Sequence, residues 1–135
     1  MYGNILIPVV FDDDHNTEAS LAAARALAND DARFTVLHVM EAIPRYISAQ
    51  IPDDALAKSR SDATMRAESW AERLPNASAI VVSGYAGTTI VDYAGDKGID
   101  CIVLASHKPG FENLFLGSTA DRVVRHAKCS VHVIR

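Results

Sequence analysis

The sequence predicts an α/β fold built on a parallel sheet, and three patterns carry that expectation. Short apolar runs alternate with stretches of helical periodicity along the whole chain, as strand and crossover helix alternate in a right-handed parallel sheet. The runs Ile5-Leu6-Ile7 and Ile102-Val103-Leu104 are apolar at consecutive positions, as strands covered on both faces require. Glycine- and aspartate-bearing turns such as Asp12-Asp13-Asp14 and Ser83-Gly84-Tyr85-Ala86-Gly87 separate the runs.

Residues 1–135 read as one domain, long enough to bury a core without metal or disulfide. Hydrophobic residues at 49% and charged residues at 22% fit an ordinary α/β protein. A formal net charge of -4 leaves no basic stripe, so general nucleic-acid binding is not expected. Cys101 and Cys129 sit in or beside apolar strands with no zinc-type spacing, and read as small buried hydrophobes rather than a bridge. No apolar stretch reaches membrane-spanning length, and an apolar strand follows Met1-Tyr2-Gly3 at once; the expected compartment is the cytoplasm.

The first strand is expected over residues 4–11, with Pro8 marking where its pairing weakens. Asp12, Asp13, Asp14, His15 and Asn16 form a polar turn, with His15 expected at the surface. Thr17, with Glu18 in the first turn, opens a helix through Leu21, Ala24 and Leu27 that ends near Asn29-Asp30-Asp31. Residues 34–40 form the second strand, and a loop over 42–52 leads into a long amphipathic helix. That helix runs from Asp53 towards Pro75 with Leu56, Met65, Ala67, Trp70 and Leu74 inward. Residues 79–82 form the third strand. Thr88 or Thr89 caps the next helix, which turns Ile90, Val91, Tyr93 and Ala94 inward and closes at Lys97-Gly98. Residues 101–105 are the fourth strand, Gly117-Ser118-Thr119 open a helix with Val123, Val124 and Ala127 at helical spacing, and residues 130–134 return as the last strand.

In such sheets a ligand lies outside the carboxyl ends of the strands, where strand order reverses. With the first strand central and the fourth beside it, the 8–14 turn faces the 106–117 loop. Gly-Ser-Thr at a helix start presents main-chain N–H groups and the positive end of a helix dipole, a pattern that suits a phosphate.

The residues Ile5-Leu6-Ile7-Pro8-Val9, His38-Val39 and Gly84 belong to a wider pattern. Ala105-Ser106-His107, Leu116-Gly117-Ser118, Val123-Val124-Arg125-His126-Ala127, Cys129-Ser130-Val131 and Val133-Ile134-Arg135 complete it. Together they resemble the universal stress protein family over nearly the full chain, in a short-chain bacterial branch with an S-H-x-P…L-G-S loop. The resemblance implies a five-stranded parallel sheet of Rossmann-like (adenine nucleotide alpha hydrolase-like) topology, strand order 3-2-1-4-5. It also implies a homodimer paired through the C-terminal strand and, in many members, binding of ATP or AMP, with Mg as an accompanying ion.

Carried onto this chain, the resemblance implies that Pro8, Val9 and Val39 hold the adenine and that Val10 stands beside the ribose. Ala105, Ser106, His107 and Lys108 would flank ribose and phosphates, and Gly117, Ser118 and Thr119 would donate hydrogen bonds to the phosphates. Nucleotide-binding members carry G-x2-G-x9-G-[ST] in this loop. Here Ala105 and Lys108 stand in place of the first two glycines, and Val10 stands where an aspartate is usual.

Three functions stay open. One is a nucleotide switch that orders the 107–116 loop and so biases an unknown regulatory protein partner. Another is a nucleotide-free regulator acting through protein contacts. The third is a slow ATPase, although no catalytic nucleophile–base pair is visible and His107 has no evident orienting carboxylate. The acidic run Asp12-Asp13-Asp14 reads as a solvated turn rather than a metal site. His132 reads as an interface residue if the last strand pairs with its twin, which would make dimerisation mildly pH-sensitive.

Overall fold

The fold is described by a computed structural model covering residues 1–12, 15–106 and 116–135. Its strands are β1 (Tyr2–Pro8), β2 (Ala28–Glu41), β3 (Ala77–Gly84), β4 (Cys101–Ala105) and β5 (Ser130–Ile134). Its helices are α1 (Thr17–Leu27), the short α2 (Arg45–Ser48), α3 (Asp53–Ala71), α4 (Ala86–Asp96) and α5 (Ser118–His126). All strand pairs are parallel and the order is β3-β2-β1-β4-β5, as expected.

The centre of the sheet is where the apolar runs are. Ile5, Leu6 and Ile7 of β1 and Ile102 and Val103 of β4 have no exposed surface. At roughly 1.5–3 kcal/mol for each large side chain removed from water, these strands belong in the middle, whatever the turns prefer. Alternate residues feed two cores. Ile5, Ile7 and Val103 face α1 and α3, whereas Leu6, Ile102 and Leu104 face α4 and α5.

Several boundaries differ from expectation, each for a physical reason. β1 ends at Pro8, so Val9, Val10 and Phe11 lie beyond the strand. Residues 29–31 are not a helix end but part of β2, because the chain passes directly from α1 into extended backbone at Ala28. The sign of it is alternation: Ala32 and Phe34 are buried while Asp31 and Arg33 are exposed. α3 buries Ala63, Ala67 and Ala71, a small-residue stripe at intervals of four that brings the helix close to β2 and β3. Met65, expected inward, is 65% exposed. α4 starts at Ala86, before Thr88 and Thr89, with Tyr85 at its cap position and no side-chain cap bond. Val124, expected on the inner face of α5, is exposed; Ala120 and Val123 form that face.

Candidate functional site

Order reverses between β1 and β4, and a cleft of about 330 Å3 opens there at the carboxyl end of the sheet. The ends of three strands contribute Pro8, Val9, Val10, Val39, Glu41, Leu104, Ala105 and Ser106 to its lining. The start of α4 adds Ala86 and Ile90, the start of α5 adds Gly117, Ser118, Thr119 and Ala120, and His15 precedes α1. The fold therefore brings together Pro8, Val9, Val10, Val39, Ala105, Ser106, Gly117, Ser118 and Thr119, all singled out from sequence. His107 and Lys108, with the rest of the 107–115 segment, lie outside the described residues, as do Asp13 and Asp14.

The apolar half of the cleft is preset by the ladder. Val9 is 5% exposed; its N–H donates to the Leu37 carbonyl at 2.8 Å and its own carbonyl accepts from His38 Nδ1 at 2.9 Å. The His38 ring stacks on Phe11, with ring centroids 4.2 Å apart, and the Arg66 guanidinium covers Phe11 at 4.5 Å. This column clamps the chain after β1 against β2 and α3, so Val9 and Val39 offer mainly fixed apolar surface. Val10, by contrast, is 46% exposed.

The polar half rests on α5. Gly117 is its cap residue, in extended backbone, and Ser118 is the first helical residue. Ser106 is buried and locks this start in place: its N–H donates to the Ile134 carbonyl at 2.7 Å, and its Oγ accepts from the Gly117 N–H at 3.2 Å. The Gly117 amide is thus engaged within the protein. The first turn of a helix has N–H groups with no acceptor inside the helix, which leaves Ser118, Thr119 and Ala120 as the donors at this end.

His15 was expected at the surface, yet it lines the cleft with its side chain 22% exposed, and its Nδ1 lies 2.9 Å from Asp12 Oδ1. Sequence reasoning also missed Glu41, Ala86, Ile90 and Leu104; only the fold brings these positions, far apart in sequence, to one rim. Among the described residues no group of three His, Cys, Asp or Glu side chains could hold a metal. No described helix is long and apolar enough to cross a membrane.

A second cavity of about 320 Å3 lies between α4 and α5 and is lined by Asp92, Asp96, His126, Lys128 and Cys129 among others. It takes the carboxyl ends of both helices, where the dipole is negative. An anion is favoured at the first cleft and disfavoured at the second.

A sequence model of the universal stress protein family matches residues 1–135. The chain belongs to that family. A universal stress protein of Thermus aquaticus is 31% identical over the full length of both chains. The solved structure of universal stress protein UspA from Lactobacillus plantarum is 30% identical, covers 99% of this chain and 98% of its own, and superposes with a TM-score of 0.74. A universal stress protein from Archaeoglobus fulgidus, solved in complex with dAMP, is 19% identical with a TM-score of 0.67, covering 99% of this chain and 98% of its own.

Proposed function

We propose that this universal stress protein is a homodimeric, cytoplasmic, single-domain switch that binds an adenine nucleotide, ATP or AMP, in the cleft between β1 and β4. The observation that carries the reading is convergence. An apolar slot made by Pro8, Val9 and Val39 and a helix start made by Ser118, Thr119 and Ala120 share one cleft of a size suited to a small ligand. A purine fits the slot and a phosphate fits the helix start. The dAMP complex of the Archaeoglobus relative supports the same ligand class. Ser106 sets the position of the α5 start, and Mg, where present, would travel with the phosphates rather than occupy a protein cage.

The dimer would form through β5, an edge strand on which Ser130 and His132 are exposed. A nucleotide bound beside Ser106 lies next to that edge, because the Ser106 N–H is bonded to the end of β5 at Ile134. Occupancy and the dimer surface are therefore mechanically adjacent, which suits a switch that acts on a regulatory partner without chemistry.

A second reading, a nucleotide-free regulator, is favoured by the exposed Val10 and the engaged Gly117 amide. Thermal unfolding with millimolar ATP, AMP or GTP separates the two. A site filled to 100 times its dissociation constant stabilises by about 2.7 kcal/mol, a rise of roughly ten degrees for a chain this size. The nucleotide reading expects that rise with ATP or AMP and a smaller one with GTP; no rise with any of them contradicts it and favours the second reading.

A further inference from the structure

A carboxylate-oriented histidine faces the cleft, and the roles set out above leave it unused. The His15 backbone N–H donates to Asp12 Oδ1 at 3.1 Å, and its ring Nδ1 lies 2.9 Å from Oδ1 and 3.2 Å from Oδ2. The same residue stands one position before Asn16, whose side chain caps α1 by accepting from the Ala19 N–H at 3.0 Å. The ring is thus held at both its backbone and its Nδ1 edge.

The chemistry of that edge fixes the chemistry of the other. An ionised carboxylate only accepts hydrogen bonds, so Nδ1 carries the proton. When the ring is neutral, Nε2, across the ring from Nδ1, is then an acceptor. An acceptor does not suit a phosphate oxygen, which brings only lone pairs. It suits a hydroxyl. Geometry gives the same answer. α1 and α5 cover opposite faces of the sheet, so His15 and Ser118 reach the cleft from opposite sides. A ligand with its base on Val9 and Val39 and its phosphate at Ser118 passes its sugar between them.

We propose that His15 Nε2, held by Asp12, accepts a ribose hydroxyl and makes the cleft select ribonucleotides over dideoxynucleotides. This rests on the nucleotide reading and adds the sugar to it. His15 is the contact residue and Asp12 the positioning residue.

The test is a calorimetric titration of the full chain with ATP and with 2′,3′-dideoxy-ATP. The wild type is expected to prefer ATP by about three- to ten-fold, the value of one net neutral hydrogen bond. His15→Phe loses the preference, with the loss falling on ATP. His15→Gln, whose amide oxygen reaches the Nε2 position, keeps part of it. Asp12→Asn reduces it while leaving the imidazole present. Should His15→Phe fail to fold, the Gln and Asn variants carry the comparison. Equal weakening of both ligands, or a wild type indifferent to the sugar, overturns the proposal. A wild type that binds neither ligand overturns the nucleotide reading itself, a result recognisable before any variant is made.

Discussion

Val9 and His15 mark the limits of reading a site residue from its neighbours in sequence. Val9 sits just past an apolar strand, so its burial was legible; its use of both backbone groups, on Leu37 and His38, depends on partners about thirty residues away. His15 lies in an acidic, polar turn and therefore reads as solvated. Its ring is oriented by Asp12 at a spacing of three, a local signal, but its placement on the cleft is set by the packing of α1. The cysteines were legible as buried thiols. Cys101 is 1% exposed, and burial, with Cys129 and Asp100 adding to it, pushes its thiol up to about 11. Burial also raises Cys129, which is only half-buried. The two pack into cores on opposite faces of the sheet, so they do not form a bridge. At about pH 8 both thiols stay mostly protonated and slow. Alkylation followed by mass spectrometry should label Cys129 slowly in the native protein and Cys101 only after unfolding in urea. Equal native rates would contradict this burial.

At the scale of elements, the strand and helix sequence was legible because the apolar periods are strong, and the boundaries were not. The acidic stretch Asn29-Asp30-Asp31 resembles a helix end, yet β2 extends through it because α1 and β2 are joined with no loop. Thr88 and Thr89 resemble caps, yet Gly84 at the end of β3 lets the chain turn earlier. Gly84 has φ +152°, and a Cβ there would stand 2.5 Å from Thr89 Oγ1. Gly84→Ala is expected to cost about 1–3 kcal/mol and to displace the α4 start from the cleft. Urea unfolding checks the stability; an unchanged midpoint would show that the turn tolerates a side chain. α3 is tied to the rest by charge as well as by its alanine stripe. Glu18 of α1 accepts two bonds of 2.6 Å from Arg73, just beyond α3, and that bond holds its carboxyl below the usual glutamate range. Arg25 also donates to the Arg73 carbonyl. A depressed carboxyl stabilises the fold above its ordinary value of 4.5 and loses that effect as pH falls through its folded value. Wild type and Glu18→Gln should therefore differ in melting temperature near neutrality and converge in acid; a constant gap would deny the ion pair its role.

The whole molecule has two unlike edges. On the β3 edge, Arg60 donates to the Val81 carbonyl at 2.8 Å and to Ser83 Oγ at 3.2 Å, a charged cover that blocks strand addition. The β5 edge presents Ser130 and His132 and lies beside the cleft through Ser106. The sheet order and the reversal between β1 and β4 were legible through resemblance and through the rule for doubly wound sheets. The apolar slot at Pro8, Val9 and Val39 and the helix start at Ser118 and Thr119 were named from the sequence, whereas the place of His15 on the cleft was not, because it depends on how α1 packs. On the proposed function the nucleotide would occupy the β1–β4 cleft and not the cavity of similar volume between α4 and α5. Backbone amide chemical shifts of the isotope-labelled protein, followed during titration with AMP, test it directly. Saturable shifts are expected at Val9, Val39, Ser106, Ser118, Thr119 and Ala120, with Asp96, Lys128 and Cys129 unmoved. Shifts confined to the second group, or none at all, would contradict it.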